Sequence, residues 1–119
     1  MEPKLEDFVD LINQWGIDRN ITAEGGATVM AQMSKMMEEF AEFLGTWDSL
    51  NYTKYYELSE EQLEEHKTQL EDDFGDMLVC LIQAMRLAGT DMRTCLAKSW
   101  EDIKDRKGRM ENGKFVKES

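Results

Sequence analysis

Two pairs of carboxylates share one spacing: Glu39 with Glu42 inside Glu38-Glu39-Phe40-Ala41-Glu42, and Asp73 with Asp76 inside Asp73-Phe74-Gly75-Asp76. Residues three apart on an α-helix lie on one side, a turn removed, so each pair can share a cation. Two such helices packed side by side would present four carboxylates to one point. A site made of carboxylate oxygens suits a hard ion. Magnesium fits because it keeps several waters and takes further ligands from substrate phosphates, and manganese is the natural substitute. A di-iron bundle would use paired Glu-x-x-His motifs, yet His66 is the only histidine. An EF-hand fails too, because Asp72 to Asp76 does not supply ligands at the loop positions that motif needs. Either pair taken alone could equally be a solvated helix face.

Helical periodicity supplies the elements that must position these acids. Leu5, Phe8, Ile12 and Trp15 recur at three- and four-residue steps, predicting a helix over residues 4 to 16 that Pro3 opens and Gly16 closes. Residues 17 to 27, with Gly25-Gly26, read as a loop. Met30, Met33, Met37, Phe40, Leu44 and Trp47 fall on one face of a second helix starting near Thr28, with a loop expected over 48 to 58. Ser59 followed by Gln62 is a capping-box signature for a third helix. That helix carries Leu63, Leu70, Phe74, Met77, Leu78, Leu81, Met85 and Ala88, and Gly89 stops it. A glycine inside a helix costs about 1 kcal/mol relative to alanine, so Gly75 points to a close backbone approach. Asp91 can cap a fourth helix bearing Met92, Leu96, Trp100 and Ile103, and Asn112-Gly113 is a short hairpin signal. The expected fold is all-α and four-helix bundle-like, with a short C-terminal hairpin or irregular tail, in a single domain spanning 1 to 119. The apolar stripes are expected to form its core.

The bulk properties agree. A chain of 119 residues can bury roughly two-thirds of the surface it exposes when unfolded, enough for one core. Cys80 and Cys95 have neither metal-type nor redox-type spacing, which points to a reducing cytosol. No signal peptide and no membrane span is expected, since no apolar run is long enough. A formal net charge of −11 repels phosphate backbones and anionic lipid, arguing against nucleic-acid or membrane binding. Any phosphate-bearing small molecule is also an anion and would need metal ions or local cations to approach. Most of the basic residues lie between Arg93 and Lys117.

The acidic pattern resembles that of the MazG-like nucleotide pyrophosphohydrolases of the all-α triphosphatase superfamily, Glu-Glu-x-x-Glu followed downstream by Glu-x-x-Asp. Here the halves are Glu38, Glu39 and Glu42, then Asp73 and Asp76, with Asp73 one methylene shorter than the family's glutamate. The likeness runs from about Phe8 to Arg106. It includes Trp-Gly-Ile-Asp-Arg-Asn over 15 to 20 and Lys-Ser-Trp-Glu-Asp-Ile-Lys-Asp-Arg over 98 to 106.

That resemblance implies a reaction and a set of roles. Glu39, Glu42, Asp73 and Asp76 would bind magnesium, while Lys98 and Arg106 would contact phosphates, with Lys104 and Arg109 as substitutes. The reaction would split a nucleoside triphosphate between its α and β phosphates, giving a monophosphate and pyrophosphate. Glu38 is a candidate for orienting or deprotonating the attacking water. Trp15 and Trp47 could stack on a nucleobase, although tryptophan on an apolar stripe commonly belongs to a core. Homodimers or homotetramers are implied by the family. Three alternatives stay open: a non-catalytic acidic helical interaction protein, an inactive family member, and an acidic mimic of nucleic acid.

Overall fold

The computed structural model of the chain describes residues 2–52 and 58–118, with the side chains of 51 and 52 left aside. Four helices and one hairpin follow in order: α1 (Leu5–Asp18), α2 (Val29–Tyr52), α3 (Glu60–Leu87), α4 (Met92–Ile103), β1 (Gly108–Glu111) and β2 (Lys114–Lys117). Two compact units divide the chain, Met1–Gly89 with α1 to α3 and Thr90–Ser119 with α4 and the hairpin. No helix among the described residues is long and apolar enough to cross a membrane.

Local chemistry explains most boundaries. At the start of α3 the Ser59 side chain accepts from the Gln62 amide at 3.1 Å, and the Gln62 side chain accepts from the Ser59 amide at 3.0 Å, satisfying two helix-end donors reciprocally. Thr28 Oγ1 accepts from the Ala31 amide at 3.0 Å before α2, and Asp91 accepts from the Thr94 amide at 2.8 Å before α4. Gly89, at φ +82°, takes the left-handed turn that ends α3. In the hairpin, Asn112 and Gly113 both adopt positive φ, the twist a two-residue connection between antiparallel strands prefers.

Three expectations are corrected. Gly16 does not close α1, which runs to Asp18; it is buried against α3. The expected loop from 48 begins as helix, since α2 continues to Tyr52, while 53–57 lie outside the described residues. Gly75 meets no close backbone: a Cβ there would face open space.

The largest correction concerns the core. Along α2 the half-buried residues at three- and four-residue steps are Met33, Met36, Glu39, Phe43, Thr46 and Leu50, the face toward α3, so of the stripe expected to be core only Met33 belongs to it. The stripe expected to be core points elsewhere: Met30 is 74% exposed, and Met37, Phe40, Leu44 and Trp47 are exposed as well. Leu5, Phe8 and Trp15 on α1, Leu63, Phe74 and Leu78 on α3, and Leu96, Trp100 and Ile103 on α4 are exposed too, while Ile12, Leu70, Met77, Leu81, Met85 and Met92 of the same stripes are half-buried. Periodicity reports that a helix has an apolar face but not which neighbour covers it, and a face shed by α3 is still an apolar face. Buried apolar side chains among the described residues come down to Cys80, Ile82 and Ala84.

Polar contacts dock α1 onto α3. Gln83, 1% exposed, donates from Nε2 to the Ile12 carbonyl at 3.3 Å. Arg86 donates to Asn13 Oδ1 at 3.0 Å and to the Ile21 carbonyl at 2.6 Å. One guanidinium therefore ties the end of α1 and the following turn to the end of α3.

Candidate metal centre

The packing of α2 on α3 puts Glu42 within electrostatic reach of Glu39 and Asp73, and Asp76 within reach of Glu39 and Asp73. Asp73 lies on the stripe of α3 formed by His66, Leu70, Asp73, Met77, Cys80 and Ala84, whose steps of three and four put it against α2. It is 2% exposed. Its Oδ1 accepts from Gln69 Nε2 at 3.0 Å, but its buried Oδ2 has no hydrogen-bond partner among the described residues. Glu39 occupies the matching half-buried position on α2, its side chain 12% exposed.

Repulsion among these acids is visible in their proton affinities. The Glu42 carboxyl is pushed above the usual glutamate range, first by the negative charge of Glu39, then by partial desolvation and a hydrogen bond with Glu39, with Asp73 adding to it. Asp76 is pushed up by desolvation, then by Glu39, Asp72 and Asp73. The Cys80 thiol below them is raised by burial and by Glu39. Because the folded carboxyls hold protons more tightly than the unfolded ones, their contribution to stability is greatest in acid and is lost as pH rises through the carboxylate range. A cation placed among them would relieve that loss.

As they stand, no three His, Cys, Asp or Glu side chains among the described residues converge closely enough to cage a metal ion. The donor set nevertheless fits magnesium, which needs few protein ligands, and the orphaned Asp73 oxygen is a buried acceptor of the right chemistry.

A cleft of about 680 Å³ opens beside Asp76, lined by Leu11, Ile12, Trp15, Arg19 and Val79 among others. Trp15 presents a ring there, with the Arg19 guanidinium 4.7 Å from its centroid. Trp47 is placed differently, stacked on Phe43 along α2 with centroids 6.4 Å apart. Glu38 stands exposed, paired with Lys35 at 3.2 Å.

The basic candidates belong to the second unit. Lys104 pairs with Glu101 at 2.9 Å, and Arg109 with Glu111 at 2.7 Å, exposed pairs of the kind that contribute little. Arg106 lines a shallow depression with Asp102, Asp105, Lys107, Lys117 and Glu118, and Lys98 is exposed on α4. Lys35, Gln69 and Arg19 join the site without being among the residues that type and spacing single out. Lys35 had a signal, lying four residues before Glu39 on the same helix, whereas the Gln69 bond to Asp73 follows from burial that spacing does not show. No family model, no curated protein and no solved structure matches the chain.

Proposed function

We propose that this protein is a magnesium-dependent nucleoside triphosphate pyrophosphohydrolase with a MazG-like fold, releasing a monophosphate and pyrophosphate and clearing surplus or non-standard nucleotides in the cytosol. The observation that carries the proposal is Asp73, a buried carboxylate with one oxygen unpartnered, on the face of α3 that meets the helix of Glu39. A buried charge left without a partner is costly, and a divalent cation is the group that would repay it.

Under this proposal Glu39, Glu42, Asp73 and Asp76 hold magnesium, or manganese in its place. The bound ion supplies neutralisation of phosphate oxygens and a more acidic water. Glu38, beside the pair, orients or deprotonates the attacking water. Trp15, in the cleft next to Asp76, is the better placed tryptophan for stacking on a base. Lys98 and Arg106 keep the phosphate role that the resemblance implies. The test is to incubate the full chain with a panel of nucleoside triphosphates and Mg²⁺ and to measure monophosphate and pyrophosphate. Turnover of at least one member is expected; folded protein that turns over none overturns the proposal.

Self-association is the second part of the proposal. The exposed stripe of Met30, Met37, Phe40, Leu44 and Trp47 on α2 is the sort of continuous apolar face that soluble chains cover. We assign it to a second copy, which also gives Trp47 a place outside the base site. Light scattering on the eluting protein should read a multiple of 13.8 kDa, and Leu44→Lys should lower it. A wild-type mass of one chain at micromolar concentration would rule the assignment out.

A further inference from the structure

Lys35 brings a cation to two neighbouring acids of the first unit. Its Nζ lies 3.2 Å from Glu38 Oε2 and 3.5 Å from Glu39 Oε1. The two contacts are unlike. Glu38 is largely exposed, so its pair with Lys35 is well screened. Glu39 is mostly buried, and there the same ammonium meets a carboxylate that water screens poorly. The ammonium leaves the Asp73 Oδ2 unpartnered, so it neutralises the cluster only in part. The lysine stem is about half exposed and flexible, which lets the ammonium leave Glu39 without disturbing α2.

Resting on the pyrophosphohydrolase reading above, we infer that Lys35 is the acid site's own counter-cation, holding Glu39 until metal uptake and then turning its ammonium to the phosphates of the substrate. The exchange is electrostatically coherent. A carboxylate that already carries a monovalent partner must release it for a divalent one, and the released ammonium stands beside the position where a polyphosphate must approach an acidic protein. This puts a phosphate-binding cation on the same helix as Glu39 and Glu42.

Calorimetry on the full chain separates the two halves, using Mn²⁺ alone and then inorganic tripolyphosphate with saturating Mg²⁺. Lys35→Gln should bind Mn²⁺ about fivefold more tightly and tripolyphosphate about fivefold more weakly than wild type, the scale expected for one screened charge at contact distance. Lys35→Arg should recover the tripolyphosphate arm. Lys67→Gln, which removes an exposed charge elsewhere in the same unit, should shift neither by comparable amounts. Unchanged Mn²⁺ affinity in Lys35→Gln overturns the counter-cation role, and unchanged tripolyphosphate affinity overturns the phosphate role. Wild type that binds no Mn²⁺ defeats the pyrophosphohydrolase reading itself, and this inference with it. Matching circular dichroism of the variants confirms that affinities are compared between folded chains.

Discussion

Asp73→Asn should weaken Mn²⁺ binding by at least about 100-fold, the upper end of what even an outer-shell partner is worth to a metal site, and should remove nucleotide hydrolysis with it. The substitution is nearly isosteric. It keeps an oxygen for the Gln69 amide, which now donates to Asp73 Oδ1 at 3.0 Å. It replaces the unpartnered Oδ2 with an amide nitrogen that carries no charge and no lone pair for a cation. Fold and ligand binding should therefore part company. Without metal the variant should melt no lower than wild type, because a buried carboxylate facing Glu39 and Glu42 has been neutralised. Added Mn²⁺ should raise the melting temperature of wild type and leave the variant unmoved. Equal Mn²⁺ affinity in the two proteins would remove Asp73, and the centre built on it, from consideration.

A second large effect is expected at Gly16, where the sign runs against helix propensity. Glycine to alanine inside a helix ordinarily gains about 1 kcal/mol. At Gly16 a Cβ would collide with the Gln83 carboxamide and stand 2.9 Å from Arg86 Nη2. Both side chains are already committed, Gln83 to the Ile12 carbonyl and Arg86 to Asn13 and Ile21. Gly16→Ala should consequently lose about 1–3 kcal/mol, the usual toll of overpacking a filled site, and Gly16→Val should lose more. Gly45 provides the comparison, since a Cβ there meets open space within α2, and Gly45→Ala should hold or gain stability by up to about 1 kcal/mol. Opposite shifts in denaturant midpoint for the two alanine variants are the expected result. A Gly16→Ala chain as stable as wild type would mean that α1 is not held as described.

Local signals proved easier to read than partners. Ser59 with Gln62, Asp91 with Thr94, Gly89, and Asn112-Gly113 each act within a few residues, so their chemistry is written in the order of the chain. The helices and the hairpin were legible on that basis, as were the two i, i+3 acidic pairs. What spacing does not carry is the rotation of one helix against another. The most apolar face of α2 was read as interior, yet α3 packs on the neighbouring face, where Glu39 sits among Met36, Phe43 and Thr46. That rotation is also what puts Glu39 rather than Phe40 across from Asp73. Gly16 illustrates the same limit: its type suggested a helix end, whereas its position opposite Gln83, 67 residues on in the chain, calls for the missing side chain.

Cys80 carries a consequence of a practical kind. Its thiol is covered by the α2–α3 contact and kept in the protonated form by burial and by Glu39, and a neutral, shielded sulfur is a poor nucleophile. Alkylating reagents should find Cys95 well before it. The lag between the two labels becomes a clock for how often the acidic helices separate, readable by mass spectrometry on the unaltered chain.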